Sequence, residues 1–234
     1  MFPVVSENHC QSVLRIATAS GAFSELMRSE CEITQTMKSP TIVCQLQAML
    51  VGYKDQPMCT IAQHLEYAGI PILVGLDEWY NDSVKGLVWS QMHSALEFLR
   101  EKGIVHSDIM PNNVMRDGTK IKLIDLNSAR AVGTEREPCS ATCREYRPPE
   151  GFLRHIARHG YDIYSAGILL LELETGVSVL RAPYLLRDKR LTADEMAYMM
   201  TAIVEEGRAE LGEPWTSMLN VNEKQRTAKY LLQG

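Results

Sequence analysis

The chain has 234 residues, of which 45% are hydrophobic and 23% charged, so it can form one substantial core or two small lobes around a cleft. Its 24 Lys and Arg residues against 29 Asp and Glu leave a formal charge of −5, and no basic surface indicates nucleic acid or an anionic membrane as the partner. The longest apolar stretch, residues 163–176, is interrupted by Glu172 and Glu174 and is too short to span a bilayer. Because MFPVVSENHC does not resemble a secretion signal, we expect an intracellular, cytoplasmic protein.

The six cysteines predict reduced thiols rather than a disulfide framework, since no secretion signal is found. Cys139, Cys143, His155 and His159 form a C-x3-C-x11-H-x3-H pattern that is close to a zinc-finger spacing. The intervening REYRPPEGFLR does not resemble the hairpin and helix of a finger. We therefore expect no zinc ion at these four residues.

The first part of the chain predicts a small mixed unit of strands and one helix. The apolar runs SVLRIAT, TIVCQLQAMLVG and MCTIAQHLEYAG predict strands, and residues 21–38 predict a helix between them. From residue 84 to 102 the apolar positions follow a helical stripe that ends before Gly103, a typical C-cap. This stripe consists of Val84, Leu87, Val88, Met92, Ala95, Leu96 and Leu99.

A polar loop follows this helix and leads into a predicted hairpin. The loop is HSDIMPNN, and in the following VMRDGTKIKLID the pair Asp117-Gly118 supplies turn chemistry, while Ile121 and Leu123 alternate with two lysines. Further on, YDIYSAGILLLELETG predicts a buried helix that ends near Gly176, and residues 193–233 predict a mostly helical region. The elements together indicate an α+β protein with a helical second part.

Asp108, Asn113 and Asp125 are spaced across this loop and hairpin in a way that suits phosphoryl transfer. That chemistry holds nucleotide phosphates through a divalent cation while a hydroxyl group is aimed at the terminal phosphate. Asp108 would orient the hydroxyl or accept its proton, and Asn113 and Asp125 would provide hard oxygen ligands for Mg²⁺. A lone Asp or Asn in a loop more often caps a turn, so this interpretation depends on the three residues together.

The stretch from His106 to Asn127 resembles the catalytic loop of eukaryotic-type protein kinases, with His-Ser-Asp in place of His-Arg-Asp and Asp-Leu-Asn in place of Asp-Phe-Gly. CREYRPPEGF resembles the end of the activation segment of this family and includes Glu150. YDIYSAG resembles the start of the central buried helix, where the resemblance implies that Asp162 binds the catalytic-loop backbone. In the last segment, Arg226 stands where the family has an Arg paired with the residue here numbered 150.

Upstream, the resemblance assigns the nucleotide-binding residues. SECEITQTMKSPTIV resembles the helix and strand of the first lobe and places Glu30 at the helix Glu, and Arg15 in SVLRIAT stands where the family has a Lys. HLEYAG resembles the hinge, where the backbone of Glu66, Tyr67 and Ala68 would contact adenine. No glycine-rich loop precedes Arg15, so we expect that loop and its two strands to be missing.

The resemblance implies a two-lobed protein-kinase-like fold, with a reduced β-rich first lobe over residues 1–69 and a mainly helical second lobe over residues 70–234. It implies an enzyme that binds ATP with Mg²⁺ and phosphorylates Ser or Thr of a protein. A pseudokinase scaffold is the first alternative, because Met110 and Arg15 both replace family lysines. A small-molecule kinase is the second, and Glu150 and Arg226 argue against it. The oligomeric state is open.

Overall fold

An antiparallel sheet of four strands forms the N-terminal part of the protein. The structure, a computed structural model, describes residues 2–5, 11–20, 31–43, 45–52, 58–136, 146–153, 155–176, 192–208 and 211–232. The strands are β1 (Phe2–Val5), β2 (Gln11–Ser20), β3 (Gln45–Gly52) and β4 (Met58–Glu66), in the spatial order β1-β2-β4-β3. Residues 31–36 are helical.

The three strands predicted in this region are confirmed as β2, β3 and β4. Strand β1 contradicts the prediction, based on the lack of a glycine-rich loop, that both strands before β2 are missing. One strand is present there, and its residues pair antiparallel with β2 from Phe2↔Leu14 to Val5↔Gln11. The four residues FPVV show no alternation of apolar and polar positions and are too few to predict this edge strand without its partner.

A helix and a hairpin carry the polar loop. After the single turn α1 (Leu76–Trp79), helix α2 spans Asp82–Glu101 and begins with Asn81, whose side chain accepts a hydrogen bond from the Ser83 backbone N–H. The predicted stripe is buried at Val88, Met92, Ala95, Leu96 and Leu99. Leu87 was predicted to lie on that stripe and is 51% exposed, because it lies at the edge of the face that packs on the core.

The predicted hairpin consists of β7 (Val114–Asp117) and β8 (Lys120–Leu123), preceded by the two-residue strands β5 (Ile70–Pro71) and β6 (Ile104–Val105). Asp117 pairs with Lys120, so the two turn residues are Gly118, with a φ of 58°, and Thr119, one position later than predicted. Strand β5 extends this hairpin to three strands, and β6 pairs with β9 (Arg130–Ala131). The short strands β10 (Glu135–Arg136) and β11 (His155–Ile156) pair beyond them.

The core of the second part is helix α3 (His159–Thr175), which is buried along most of its length and ends at Gly176 in the left-handed conformation. The burial of this helix and its end at Gly176 both confirm the prediction of a buried helix that ends near Gly176. Helix α4 spans Ala193–Arg208, and α5 is a single turn, Trp215–Met218, whose Trp215 packs edge-on against Trp89. Residues 219–232 form short 3-10 turns and connecting segments, so the prediction of mostly helix over 193–233 is wrong for this last stretch. None of the described helices combines the length and apolar character that a bilayer crossing requires.

Candidate active site

The polar loop is held by one buried carboxylate of helix α3. The backbone N–H groups of His106 and Ser107 donate to the two carboxylate oxygens of Asp162 at 2.7 Å and 2.8 Å. Asp162 is 2% exposed, and bonds to an ionised acceptor are stronger than bonds between neutral groups. These contacts confirm the expectation that Asp162 binds the loop backbone.

Asp108 and Asn113 are in direct contact. Asn113 Nδ2 donates to the backbone carbonyl of Asp108 at 2.9 Å and to its carboxylate Oδ2 at 2.8 Å. Because the amide nitrogen is directed at Asp108, the Oδ1 atom of Asn113 is left to accept a hydrogen bond or to ligate a cation. The Pro111–Asn113 3-10 turn places Asn113 at this position immediately before β7.

Asp125 is brought alongside by the hairpin. It follows β8 by two residues, and the N–H of the intervening Ile124 donates to the Asn113 carbonyl at 2.9 Å. Asp125 has a φ of 65° and Ser107 a φ of 70°, and these are the two non-glycine residues with positive φ in the part of the chain that the structure describes. Such backbone conformations are unfavourable and cluster at functional sites.

His106 connects the loop to the hairpin as a neutral imidazole. It is fully buried, its Nε2 lies 3.1 Å from the Ile124 carbonyl, and its Nδ1 lies 3.3 Å from the Asp108 backbone N–H that donates to it. Burial lowers the pKa of His106 from its ordinary 6.5 to about 4, although the Ile124 carbonyl and the Asp125 carboxylate act in the opposite direction. His106 therefore supports the loop and the hairpin by packing and by hydrogen bonds.

This shift predicts a pH dependence of stability. A histidine whose pKa is lowered in the folded state stabilises the protein above pH 6.5, and this stabilisation is lost as the pH falls towards 4. Between pH 7 and pH 4.5 the free energy of unfolding of the wild type should fall by about 2 to 3 kcal/mol more than that of His106→Asn, which cannot titrate. Urea unfolding at both pH values measures the difference. His93→Asn on α2 is the matched control, and a wild-type loss no larger than that of His106→Asn would contradict the prediction.

The predicted hinge lies between β4 and β5. Glu66 ends β4, Tyr67 is 37% exposed, Ala68 is 8% exposed, and Gly69 has a φ of 97°. A Cβ atom at Gly69 would lie 1.8 Å from the Arg116 carbonyl of β7, so only glycine allows the chain to approach the hairpin here.

No sequence pattern predicts a cation at this hinge. Lys122 of β8 donates to the Glu66 carboxylate at 2.5 Å, across 56 positions, and the two side chains are 19% and 27% exposed. The ion pair therefore connects the hinge to the hairpin that carries Asp125. The alternation of lysines in KIKL indicated a solvent-facing strand edge and could not identify this partner.

Two predicted nucleotide-binding residues are described only in part or not at all. The backbone of Arg15 lies in β2 opposite Gln63, and Glu30 lies outside the described residues. Cys139 and Cys143 of the zinc pattern lie outside them as well, while His155 stacks on Tyr161 with ring centroids 5.5 Å apart. The assignments of Arg15 and Glu30 stay predictions.

Glu150 and Arg226 meet, as expected from the resemblance. They are 76 positions apart, and both guanidinium nitrogens Nη1 and Nη2 donate to the Glu150 carboxylate, at 2.5 Å and 2.9 Å. The Arg226 side chain is fully buried and also donates to the Gly160 carbonyl. In addition, the Tyr146 hydroxyl donates to Glu172 near the end of α3, so residues 146–153 are attached to the helical core at two places.

Asp125 and Asn113 could hold a divalent cation. Among the described residues no three His, Cys, Asp or Glu side chains converge on one point, so a complete all-protein metal cage is not formed there. Mg²⁺ commonly uses one or two carboxylates together with water and phosphate oxygens. One carboxylate and one amide oxygen beside a loop that presents Asp108 therefore fit a cation that shares its ligand shell with a nucleotide.

Comparison with known proteins identifies the family. Residues 10–233 match the protein kinase domain family. Serine/threonine-protein kinase SBK1 of Mus musculus is 31% identical over 163 residues, 63% of this chain and 37% of that protein. Serine/threonine-protein kinase 36 of Pongo abelii is 28% identical over 153 residues, 64% of this chain and 11% of that protein. The chain thus spans well under half the length of either relative.

The fold comparison agrees with the motifs. The crystal structure of the yeast RNA polymerase II CTD kinase CTDK-1 complex contains a chain that superposes on 97% of this one with a TM-score of 0.71 and 17% sequence identity, and 85% of that chain is covered. Both the contacts of Asp162 with the loop and the Glu150–Arg226 pair occur in the positions that the family resemblance requires. The chain belongs to the protein kinase domain family and has its two-lobed α+β fold.

Proposed function

We propose that this chain is an ATP- and Mg²⁺-dependent phosphotransferase that acts on Ser or Thr of a protein. The observation that carries the proposal is the contact of Asp108 with Asn113 beside Asp125, since phosphoryl transfer needs a group that orients the hydroxyl next to groups that hold the cation. ATP, when bound, supplies the phosphoryl group. Asp108 orients the substrate hydroxyl and accepts its proton, and Asn113 and Asp125 ligate the cation.

The remaining residues bind the nucleotide. The backbone of Glu66, Tyr67 and Ala68 contacts adenine, with the Lys122 ion pair fixing the position of Glu66. Arg15 would offer a positive charge to the phosphates, and Glu30 stands where the family resemblance places the helix Glu. Residues 1–69 form that lobe and hinge, and residues 70–234 form the second lobe. The proposed partners are ATP and a protein substrate.

A pseudokinase scaffold is the second candidate. Met110 lies in the loop where the family has a lysine, and a thioether carries no charge to stabilise the transferred phosphate. The guanidinium group of Arg15 is planar and wider than the compact ammonium group of lysine, so it need not reproduce the contact of the family lysine with phosphate. Either candidate retains the fold, and they differ in whether nucleotide binding leads to transfer.

Nucleotide-dependent thermal stability tests the proposal. With Mg²⁺ and ATP about 100-fold above its Kd, the melting temperature should rise by about 5 to 10 °C, because a ligand that binds only the folded state stabilises it. Asp125→Asn should lose most of the increment that depends on Mg²⁺, whereas Asp117→Asn at the exposed end of β7 should keep it. No increment in the wild type at millimolar ATP with Mg²⁺ would refute the ligand assignment.

A further inference from the structure

Asn127 has a buried oxygen atom for which the described part of the chain provides no hydrogen-bond donor. This residue occupies the position of the family glycine in the motif that begins with Asp125, and its side-chain Oδ1 is buried and accepts no hydrogen bond from any residue that the structure describes. A buried amide carbonyl without a donor is unfavourable, and each such group in a folded protein calls for a water, an ion or a functional explanation. This orphaned atom lies two residues from a predicted metal ligand.

We propose that Asn127 provides a further oxygen ligand to the divalent cation of Asp125 and Asn113, an inference that rests on the proposed function. Carboxamide and carboxylate oxygens are the hard ligands that Mg²⁺ and Mn²⁺ accept. The described residues contain no cluster of three acidic or imidazole ligands. An added amide oxygen would therefore supply one more protein ligand to the coordination shell of the cation.

The local geometry supports a shared ion. Residues Leu126–Ser128 form one 3-10 turn, and Asp125 Oδ1 accepts the Asn127 backbone N–H at 3.4 Å. Calcium-binding loops use the same D-x-N spacing, in which the first and third side chains of a tight turn ligate one cation. Here Arg130 Nη1 donates to the Asn127 and Ala129 carbonyls at 3.4 Å and 2.7 Å, which stabilises the conformation of the turn.

A purely structural role makes the opposite prediction. If Asn127 stabilised the turn through its side chain, Asn127→Ala would lower the melting temperature of the protein without ligands and leave cation affinity unchanged. If Asn127 is a ligand, removing its orphaned oxygen leaves that melting temperature unchanged or raises it, while cation affinity falls.

The experiment measures the Kd of Mn²⁺ by electron paramagnetic resonance in the presence of a non-hydrolysable ATP analogue, together with the melting temperature of the unliganded protein. Asn127→Ala is expected to weaken Mn²⁺ binding about tenfold or more, as losses around metal sites commonly do. Asn127→Asp, which keeps an oxygen and adds charge, should bind at least as tightly as the wild type. Asn112→Ala, an exposed Asn in the neighbouring loop, is the matched control and should bind as the wild type does.

Each outcome decides the question. A Kd for Asn127→Ala within twofold of the wild type overturns the proposal, whatever happens to the melting temperature. Equal weakening of Mn²⁺ binding in Asn127→Ala and Asn127→Asp also overturns the proposal, because Asn127→Asp keeps a side-chain oxygen and should then retain the affinity. If Asp125→Asn abolishes Mn²⁺ binding and Asn127→Ala leaves the Kd within twofold of the wild type, this inference fails while the proposed function stands. If the wild type binds no Mn²⁺ with the nucleotide analogue, both fail.

Discussion

Asp108→Asn is expected to abolish phosphotransfer and to leave nucleotide binding nearly intact. The substitution keeps the shape of the side chain and the backbone carbonyl that Asn113 binds, but removes the charge that we propose orients and deprotonates the hydroxyl. Loss of one such electrostatic contact commonly reduces the rate about 10²- to 10³-fold. The wild-type rate itself should lie well below the usual range of about 1 to 100 s⁻¹ for kinases, because Met110 brings no charge to the phosphate.

The measurement is transfer from radiolabelled ATP to a generic basic protein, at matched metal concentration, with the wild type, Asp108→Asn and Asp125→Asn. Asp125→Asn should lose transfer through weaker binding of the metal–nucleotide complex, so its effect should appear in nucleotide affinity as well. Equal and negligible transfer by the wild type and Asp108→Asn, while both bind nucleotide, would refute the enzyme and favour the scaffold.

Arg226→Leu is expected to reduce the free energy of unfolding by about 3 to 5 kcal/mol, since it breaks a buried ion pair on one side. The Glu150 side chain is 20% exposed and loses both of its guanidinium donors, and the carbonyls of Gly160 and Asn220 lose a donor each. Glu150→Gln should reduce the free energy of unfolding less than Arg226→Leu does, because the amide oxygen of Gln still accepts one of the two hydrogen bonds. Some loss is still expected, because the buried guanidinium keeps its charge and loses the negative partner.

Urea denaturation of both variants measures these losses. The matched control is Arg100→Gln, which breaks the exposed pair of Arg100 with Glu97 on α2 and should cost less than about 1 kcal/mol. A loss for Arg226→Leu no greater than that of Arg100→Gln would show that the pair does not attach the Pro149–Phe152 turn to the helical core.

Local patterns predicted much of the second lobe. The stripe in α2, the hairpin of β7 and β8 and the buried helix α3 were all found, because the period of apolar residues and turn residues such as Gly118 act over a few positions. The same signals failed for residues 219–232, where the 3-10 turn Glu223–Gln225 packs on α3 and the 3-10 turn Lys229–Leu232 packs on α2. They failed also for β1, which is a strand only because β2 lies beside it.

Within the site, the motif spacing predicted that Asp108 and Asn113 lie together, and the structure has them in hydrogen-bond contact. The meeting of Glu150 with Arg226 followed from the family resemblance alone, since nothing in the spacing of residues 76 positions apart predicts it. The roles of all these residues in binding and transfer stay predictions until the variants are measured.

The sequence by itself therefore determined the family, the order of the main elements and the loop that presents Asp108. The tertiary structure decided which distant charges pair, as for Lys122 with Glu66, which apolar residue faces solvent, as for Leu87, and which polar atom is left without a partner, as for Asn127. Helical and strand periods are local and are encoded in neighbouring residues, whereas ion pairs and burial depend on how separate elements pack. The residues next to an Asp, Glu or Asn in the sequence do not reveal whether its oxygen atoms will bind a lysine, a metal cation or water. The packing of separate elements determines which of these partners is nearby.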